Sequence, residues 1–315
     1  MRGFLIFALM MIHLGSVCQT LVDSNSWFLA IQPNAKLIVY FKANSRVHQE
    51  YMEGQIYLHD IKSGSNTLLN NNQYVYDFLN IQWTNDGKYF FLSDGNELTV
   101  FAFESNTKRL IYKCDKGALI NNISVSSNGR FVVINIKRNE EAKQKQNVYL
   151  IDRSTNNCEE LYSINDTSIG ETIKNKCLVS DAGDVYILDI NKKLLKIRNG
   201  GNRAVIIVES FVKDIYCLDK DFIYFSNNES LIRIDVKTAE KFKIINSTAP
   251  RIDYVGHYKE DIVINLNDNI FVYNAKGRMN ALKKLPKGVY SYIDDGLALR
   301  QMDSSLYYYK NFDLP

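Results

Sequence analysis

The stretch IQWTNDGKYFFLSDGNELTVFAFESNTKRL, residues Ile81 to Leu110, contains three short runs in which apolar and polar residues alternate. Tight polar turns rich in Asn, Asp and Gly separate the runs. Alternation with a period of two is typical of strands that bury one face, and these three residue types favour tight turns. The stretch therefore predicts antiparallel strands joined by hairpins.

Related stretches recur along the chain. IQPNAKLIVYF from Ile31 and VSSNGRFVVIN from Val125 align with WTNDGKYFFLS from Trp83, because each has a polar turn, then Lys or Arg, then an alternating strand. More divergent copies begin at Val179, Leu218, His257 and Ile293. A spacing that falls from roughly 45 to roughly 35 residues matches the four-stranded blade of a β-propeller. We predict an all-β chain that forms one β-propeller of seven blades, with six or eight blades, or two β-sandwiches, as alternatives.

The last copy has room for only three strands before the chain ends. We expect the fourth strand of that blade to come from the start of the domain, around Thr20 to Asp23. Pairing of the two chain ends would close the ring and remove an exposed sheet edge.

The N-terminus reads MRGFLIFALMMIHLGSVCQT, with a positive Arg2 before an apolar run from Phe4 to Leu14. That order predicts a secretory signal peptide over residues 1–18, followed by the propeller over residues 19–315. The alternative is a buried N-terminal strand. No later apolar run is long enough to span a bilayer, so we expect a secreted, extracellular protein.

Asn-X-Ser/Thr sequons are acceptors for N-glycosylation in secreted proteins. The chain has sequons at Asn122, Asn165, Asn228 and Asn246. In the repeat alignment they fall near connections between blades, near the start of an innermost strand, or in the turn between second and third strands. We therefore predict that all four candidate glycosylation sites lie on one face of the propeller, while the sequence leaves open which of them are used.

The cysteines that would remain after cleavage are Cys114, Cys158, Cys177 and Cys217. Cys177 and Cys217 occupy similar places in successive copies, so adjacent innermost strands could bring them to disulfide distance. The alternative for this pair is two buried thiols. A bridge between Cys114 and Cys158 would be strained, because the alignment places them near opposite faces.

The turn WTNDGKY, from Trp83 to Tyr89, resembles the W-S-P-D-G-K turn of TolB-like propellers and of the N-terminal propeller of the dipeptidyl peptidase IV family. Asn85 replaces the usual Pro of that turn, while the first copy keeps Pro33 but has Ala35 in place of Gly. The resemblance implies a propeller without the α/β-hydrolase domain of those peptidases, because no Gly-X-Ser-X-Gly elbow occurs.

Catalytic motifs are not evident elsewhere. The adjacent Glu140 and Glu141 lie in a charged stretch that aligns as a surface loop, so the resemblance assigns them no role. Asp181, Asp184, Asp268 and Asp294 sit at strand turns, where Asp is expected to make local hydrogen bonds. We expect no enzyme activity, no cofactor and no metal, and the formal net charge of +3 gives no reason to expect nucleic acid as a partner.

The part of the predicted glycosylated face that has no sequons carries a long loop, from Ala43 to Gly54, and a connection with the sequence KKLPKG. The candidate binding residues are Arg46, His48, Glu50, Tyr51, Lys283, Lys284 and Lys287. Mixed aromatic and charged side chains on loops suit protein contact. We predict a non-enzymatic binding protein for an extracellular protein or peptide. The alternative is a small-ligand-binding or hydrolytic propeller that uses the mouth of the central channel.

Overall fold

A computed structural model describes most of the chain from Cys18 to Lys310. The described ranges are 18–33, 36–45, 52–69, 73–75, 79–105, 107–140, 143–166, 176–189, 191–201, 203–209, 211–219, 221–246, 252–258, 261–266, 269–274, 278–284, 289–294, 297–302 and 305–310. In these ranges, no helix has the length and apolar character needed to cross a lipid bilayer.

The described residues form seven antiparallel sheets, which we number as blades 1 to 7. The first strand of the chain, β1 (Cys18–Ser24), belongs to blade 7. Blade 1 contains β2 (Ser26–Ile31), β3 (Leu37–Ser45), β4 (Glu53–Asp60) and β5 (Asn66–Leu68), with the short β6 (Tyr74–Val75) beside β4. Blade 2 contains β7 (Asn80–Trp83), β8 (Tyr89–Ser93), β9 (Glu97–Ala102) and β10 (Thr107–Lys113). Blade 3 contains β11 (Ala118–Val125), β12 (Phe131–Glu140), β13 (Lys143–Asp152) and β14 (Asn157–Asp166). Blade 4 contains β15 (Cys177–Val179), β16 (Val185–Leu188), β17 (Leu194–Ile197) and β18 (Ala204–Val208). Blade 5 contains β19 (Asp214–Asp219), β20 (Phe222–Ser226), β21 (Ser230–Asp235) and β22 (Lys241–Asn246). Blade 6 contains β23 (Ile252–Tyr258), β24 (Asp261–Leu266), β25 (Asn269–Tyr273) and β26 (Met279–Lys284). Blade 7 contains β27 (Val289–Asp294), β28 (Leu297–Met302) and β29 (Ser305–Lys310), with β1 as its fourth strand.

The blades are arranged around a common axis. The first strand of each blade contacts the first strand of the next, from β2 through to β27. Blade 7 in turn contacts blade 1, because β2 also touches β29. This circular order of antiparallel sheets is a β-propeller, which confirms the fold predicted from the repeats.

The two chain ends close the ring. β1 pairs antiparallel with β29, from Cys18 opposite Lys310 to Ser24 opposite Ser305. The predicted fourth strand of the last blade is confirmed, and it is slightly longer than Thr20 to Asp23. This pairing completes the outer edge of blade 7, so no exposed three-stranded sheet is left there.

A small polar cluster joins the closing strand to blade 1. The carboxylate of Asp23 on β1 accepts a hydrogen bond of 2.9 Å from the Tyr40 hydroxyl and one of 2.8 Å from the Lys42 ammonium. Tyr40 is completely buried, and the Asp23 side chain is 14% exposed. Burial is the largest cause of a strongly raised pKa at Tyr40, and the Asp23 charge adds to it. The phenol therefore stays neutral, and its hydroxyl donates a hydrogen bond to the Asp23 carboxylate.

Apolar layers between successive blades form the core. In the layer between blades 1 and 2, the Phe90 and Phe101 rings stack with centroids 4.4 Å apart, and Trp83 packs on Phe103 at 5.2 Å. Equivalent layers of buried Val, Ile, Leu and Phe side chains lie between blades 2 and 3, 3 and 4, 4 and 5, and 5 and 6. Blades 2 to 5 therefore bury both faces, which explains why their strands carry apolar residues at successive positions.

The repeated turn links neighbouring blades. In blade 2 the Thr84 hydroxyl donates a 2.6 Å hydrogen bond to Asp86, and in blade 3 the Ser126 hydroxyl donates one of 2.8 Å to Asn128. Gly129 follows in a left-handed conformation, with φ of +71°. A Cβ at Gly129 would lie 2.5 Å from the methyl carbon of Thr84. Glycine is therefore needed there for both conformation and space.

An ion pair fixes the outer part of the blade 3 turn. The Arg130 guanidinium donates to both carboxylate oxygens of Asp152, at 3.1 and 2.8 Å. The same guanidinium lies 4.6 Å from the Phe131 ring centroid. Hydrogen bonding from Arg130 is the largest cause that holds the pKa of Asp152 well below its ordinary value.

Candidate functional site

The predicted binding loops are only partly covered by the structure. Ala43 and Gly54 lie opposite each other in the β3–β4 ladder, so the first loop is shorter than predicted. Lys283 and Lys284 lie in the outer strand β26, not in a connection. The other candidate residues, Arg46, His48, Glu50, Tyr51 and Lys287, lie outside the described residues. The protein-binding role of this surface stays a prediction.

The two ends of the propeller differ in what they carry. We call the end with the hairpins at residues 84–88, 126–130, 180–184 and 236–240 the turn face, and the opposite end, with the connections between blades, the connection face. Asn228 is exposed in the β20–β21 turn of the connection face. Asn165 and Asn246 lie at the ends of β14 and β22, which lead to the same face, although the sequence placed them in connections. Asn122 lies within β11 and is half-buried.

The candidate disulfide is not formed. Cys177 on β15 is buried in the layer between blades 3 and 4, whereas Cys217 on β19 packs against the layer between blades 5 and 6. The apolar layer between blades 4 and 5 separates those two layers. No disulfide joins Cys177 to Cys217 because their side chains point to different sides of their blades, a feature that similar repeat positions do not reveal.

A polar cleft opens on the turn face between blades 4 and 5. Its volume is about 270 Å³. Its charged and phenolic lining residues are Asp181, Asp184, Tyr186, Lys196, Asp221 and Lys237. Val179 and Leu218, from the innermost strands of the two blades, form its end nearest the propeller axis. The cleft therefore lies close to the axis, on the face opposite Asn228.

A shielded ion pair lies in this cleft. The Lys196 ammonium is 2.7 Å from the Asp184 carboxylate, and their side chains are only 17% and 22% exposed. Among the ion pairs of the described residues, it is the only one in which both side chains are less than a quarter exposed. Shielding from solvent strengthens the field of these two charges on any ligand that enters.

Tyr186 completes the group. It lies directly opposite Lys196 in the β16–β17 ladder, and the ammonium is 5.5 Å from the centre of its ring. Burial raises the pKa of Tyr186, against the opposing effect of Lys196. Burial alone would lower the pKa of Lys196, but its hydrogen bond to Asp184 and the neighbouring Tyr186 raise it overall. At neutral pH Lys196 is therefore an ammonium and Tyr186 a neutral phenol.

The walls of the cleft are held by hydrogen bonds between and within blades. The Asp181 carboxylate accepts a 2.8 Å hydrogen bond from the Asn128 backbone amide of blade 3. Asp184 accepts one of 3.2 Å from the Asn199 backbone amide. On the blade 5 side, the Lys237 ammonium donates a 2.6 Å hydrogen bond to Asp221. The charged groups are thus positioned before any ligand arrives, which reduces the cost of binding.

Sequence reasoning noted the two aspartates but missed their neighbours. Asp181 and Asp184 were expected to make local hydrogen bonds, whereas Asp181 bonds to the preceding blade and Asp184 pairs with Lys196. Asp268 lies outside the described residues. Tyr186 and Lys196 are cross-strand partners in the β16–β17 hairpin, and such partners share one face of a sheet. The register of that hairpin could therefore have identified them from the sequence.

Comparisons with known proteins show the fold. No protein-family model matches this chain, and no curated protein matches it. Among solved structures, oligogalacturonate lyase in complex with manganese has a TM-score of 0.69 at 11% identity, over 94% of this chain and 93% of that chain. Oligogalacturonate lyase from Vibrio parahaemolyticus has a TM-score of 0.67 at 12% identity, over 92% of both chains. Dipeptidyl peptidase 4 from Porphyromonas gingivalis has a TM-score of 0.55 at 10% identity, over 86% of this chain and 48% of that chain.

The prediction that the chain is not an enzyme is contradicted by these comparisons. Two lyases share its propeller over nearly their whole length, so an enzyme of this fold needs no separate catalytic domain. The missing Gly-X-Ser-X-Gly elbow therefore bears only on peptidase chemistry.

One of these lyase structures contains manganese, which prompts a test of the donor groups here. In the part of the chain that the structure describes, no three His, Cys, Asp or Glu side chains come together to hold a metal ion. The chain is a β-propeller similar to those of oligogalacturonate lyase and of dipeptidyl peptidase 4.

Proposed function

We propose that this chain is an enzyme or a receptor for a small polar ligand, and that the cleft between blades 4 and 5 is its binding site. The observation that carries the proposal is the shielded Lys196–Asp184 pair beside Tyr186, inside a cleft of about 270 Å³. A concave site with a few convergent polar groups is the usual form of a small-molecule site.

The polar groups of the cleft suit an oligosaccharide, although its three Asp side chains outnumber its two Lys side chains. The Lys196 ammonium would pair with a sugar carboxylate, while Asp184 and Asp221 would accept hydrogen bonds from sugar hydroxyls. Tyr186 is almost completely buried behind Lys196, so it would hold the ammonium in place and would not pack on the ligand. Two enzymes with a similar fold over the same length are lyases named for an oligogalacturonate, which supports the same substrate class.

Binding and turnover of acidic oligosaccharides test the proposal. The full chain is titrated with galacturonate, glucuronate and mannuronate oligomers by calorimetry, and the same mixtures are followed for the ultraviolet absorbance of an unsaturated uronate and for new reducing ends. We expect at least one oligomer to bind. Lys196→Met keeps the length of the side chain but removes the charge, and should weaken binding by about tenfold or more.

A matched variant separates ligand binding from stability. Lys113 also forms a 2.8 Å ion pair, with Glu97, but this pair is solvent-exposed on blade 2. Lys113→Met should therefore leave the affinity unchanged. If no oligomer binds, or if Lys196→Met binds as tightly as the unmodified chain while its melting temperature is preserved, the proposed site is wrong.

Secretion and glycosylation remain part of the proposal. They are supported by the apolar segment after Arg2 and by the sequons at Asn165, Asn228 and Asn246, which lie at or near the connection face. Glycans there would leave the turn face and its cleft open to a ligand. Sequencing the N-terminus of the chain recovered from a secreting host tests the first point, and cleavage after Cys18 is the expected result.

A further inference from the structure

The outer strand of blade 4 differs from the outer strands of the other blades. β18, with the sequence AVIIV, is the only outer strand longer than three residues that carries no charged side chain. One edge of β18 pairs with β17. Because β18 is the last strand in its sheet, its other edge has no neighbouring strand in that sheet. Natural proteins usually protect such edges with charges, most often Lys.

The side chains of this strand are also unusually exposed. Val205 is 57% exposed and Ile206 is 47% exposed. Ala204 is exposed as well, so three successive apolar residues face solvent along one sheet edge. An apolar edge with available backbone donors and acceptors favours the addition of another strand.

The sequence around Ile206 is complementary to itself. In an antiparallel pair centred on Ile206 of both copies, Val205 lies opposite Ile207 of the other copy, which is half-buried and bulges in the pairing with β17. Ala204 lies opposite Val208, whose side chain is buried in its own core, so Val208 would contribute only backbone pairing. At the ends of the strand, Arg203 then meets Glu209 of the other copy, twice by symmetry. Both Arg203 and Glu209 are exposed. This pattern gives apolar contacts in the centre and opposite charges at both ends, as an isologous interface requires.

We propose that two copies of this chain associate through their β18 strands, which pair antiparallel around Ile206 to form one continuous eight-stranded sheet from two blades. The occupant of the edge is a second copy because β18 is complementary to itself, in its apolar centre and in the exposed Arg203 and Glu209 at its ends. Glu209 also lies 3.6 Å from Lys193 of its own blade, so the contact with Arg203 would be shared. Five-residue strands bury little area, so the dimer is reversible, with a dissociation constant on the order of micromolar.

Sedimentation equilibrium of the full chain tests the proposal over a range of concentrations up to about 0.1 mM, well above that dissociation constant. We expect a concentration-dependent dimer. Ile206→Lys should yield a monomer throughout. Leu110→Lys is the matched control, because Leu110 is 49% exposed on β10, the outer strand of blade 2, and this change should leave the dimer intact.

A charge exchange tests the register. Arg203→Glu places like charges together at both ends and should raise the dissociation constant by about tenfold. Arg203→Glu combined with Glu209→Arg restores opposite charges across the interface and should recover most of the lost affinity. A chain that is monomeric at every concentration, a dimer that survives Ile206→Lys, or a double exchange that is no better than Arg203→Glu would each overturn the proposal.

Discussion

Replacing Asp23 by alanine should loosen the closure of the propeller. The change removes the acceptor of the Tyr40 hydroxyl, which is completely buried, and the partner of the Lys42 ammonium. A buried hydroxyl without a partner costs about 1–3 kcal/mol, and a half-exposed ion pair contributes up to about 1 kcal/mol. We therefore expect a loss of about 2–3 kcal/mol, which lowers the melting temperature by roughly 5 °C in a chain of this size.

A double-mutant cycle isolates the buried hydrogen bond. Tyr40→Phe should cost about 1 kcal/mol when Asp23 is present, and should be neutral or stabilising in the Asp23→Ala background, where it removes an unpaired hydroxyl. The measurement is urea unfolding followed by far-ultraviolet circular dichroism. Equal costs of Tyr40→Phe in both backgrounds would refute the reasoning, as would an Asp23→Ala variant as stable as the unmodified chain.

Three further predictions concern turns, charge and modification. Gly129→Ala should lower the free energy of unfolding by about 2–4 kcal/mol, measured by thermal unfolding. Gly64 has the same φ of +71° but open space around it, so Gly64→Ala should cost only about 1 kcal/mol. Similar losses in the two variants would contradict the packing argument. The pKa of Asp152 is lowered in the folded state, so Asp152 contributes its full share of stability above its ordinary pKa of about 3.9. That share of stability is lost as the pH falls toward the lowered pKa. The stability deficit of Asp152→Asn should therefore be largest at neutral pH and shrink in acid. A deficit that does not change with pH would argue against that ion pair. Glycopeptide mapping should find Asn228 modified and the half-buried Asn122 unmodified, and the reverse pattern would contradict the placement of these residues.

The fold could be predicted because its local signals repeat. In blades 2, 3 and 4 the turn combines a hydroxyl residue, an Asp or Asn and a glycine. The structure shows why: in blade 2, Asp86 accepts hydrogen bonds from the Thr84 hydroxyl and from the Lys88 backbone amide. These contacts depend on residues close in sequence. The closure by β1 was predictable for a different reason, since a three-stranded last blade leaves an unprotected edge.

The candidate site could not be predicted from the same patterns. Lys196 meets Tyr186 only through the β16–β17 register, and Asp221 reaches the cleft only because blade 5 packs against blade 4. The failed Cys177–Cys217 pairing has the same origin. Equivalent positions in successive blades were recognised, but the side of the blade that each thiol faces depends on strand register and bulges, such as the one between Ile215 and Cys217.

Hydrogen–deuterium exchange with an acidic oligosaccharide that binds in calorimetry is the most direct test of the ligand site. If the cleft binds the ligand, exchange should slow in peptides that cover residues 176–189 and 191–201 of blade 4 and residues 221–240 of blade 5. Exchange in blades 1 and 2 should not change. Protection confined to the connection face, or to blades that do not line the cleft, would contradict binding in the cleft.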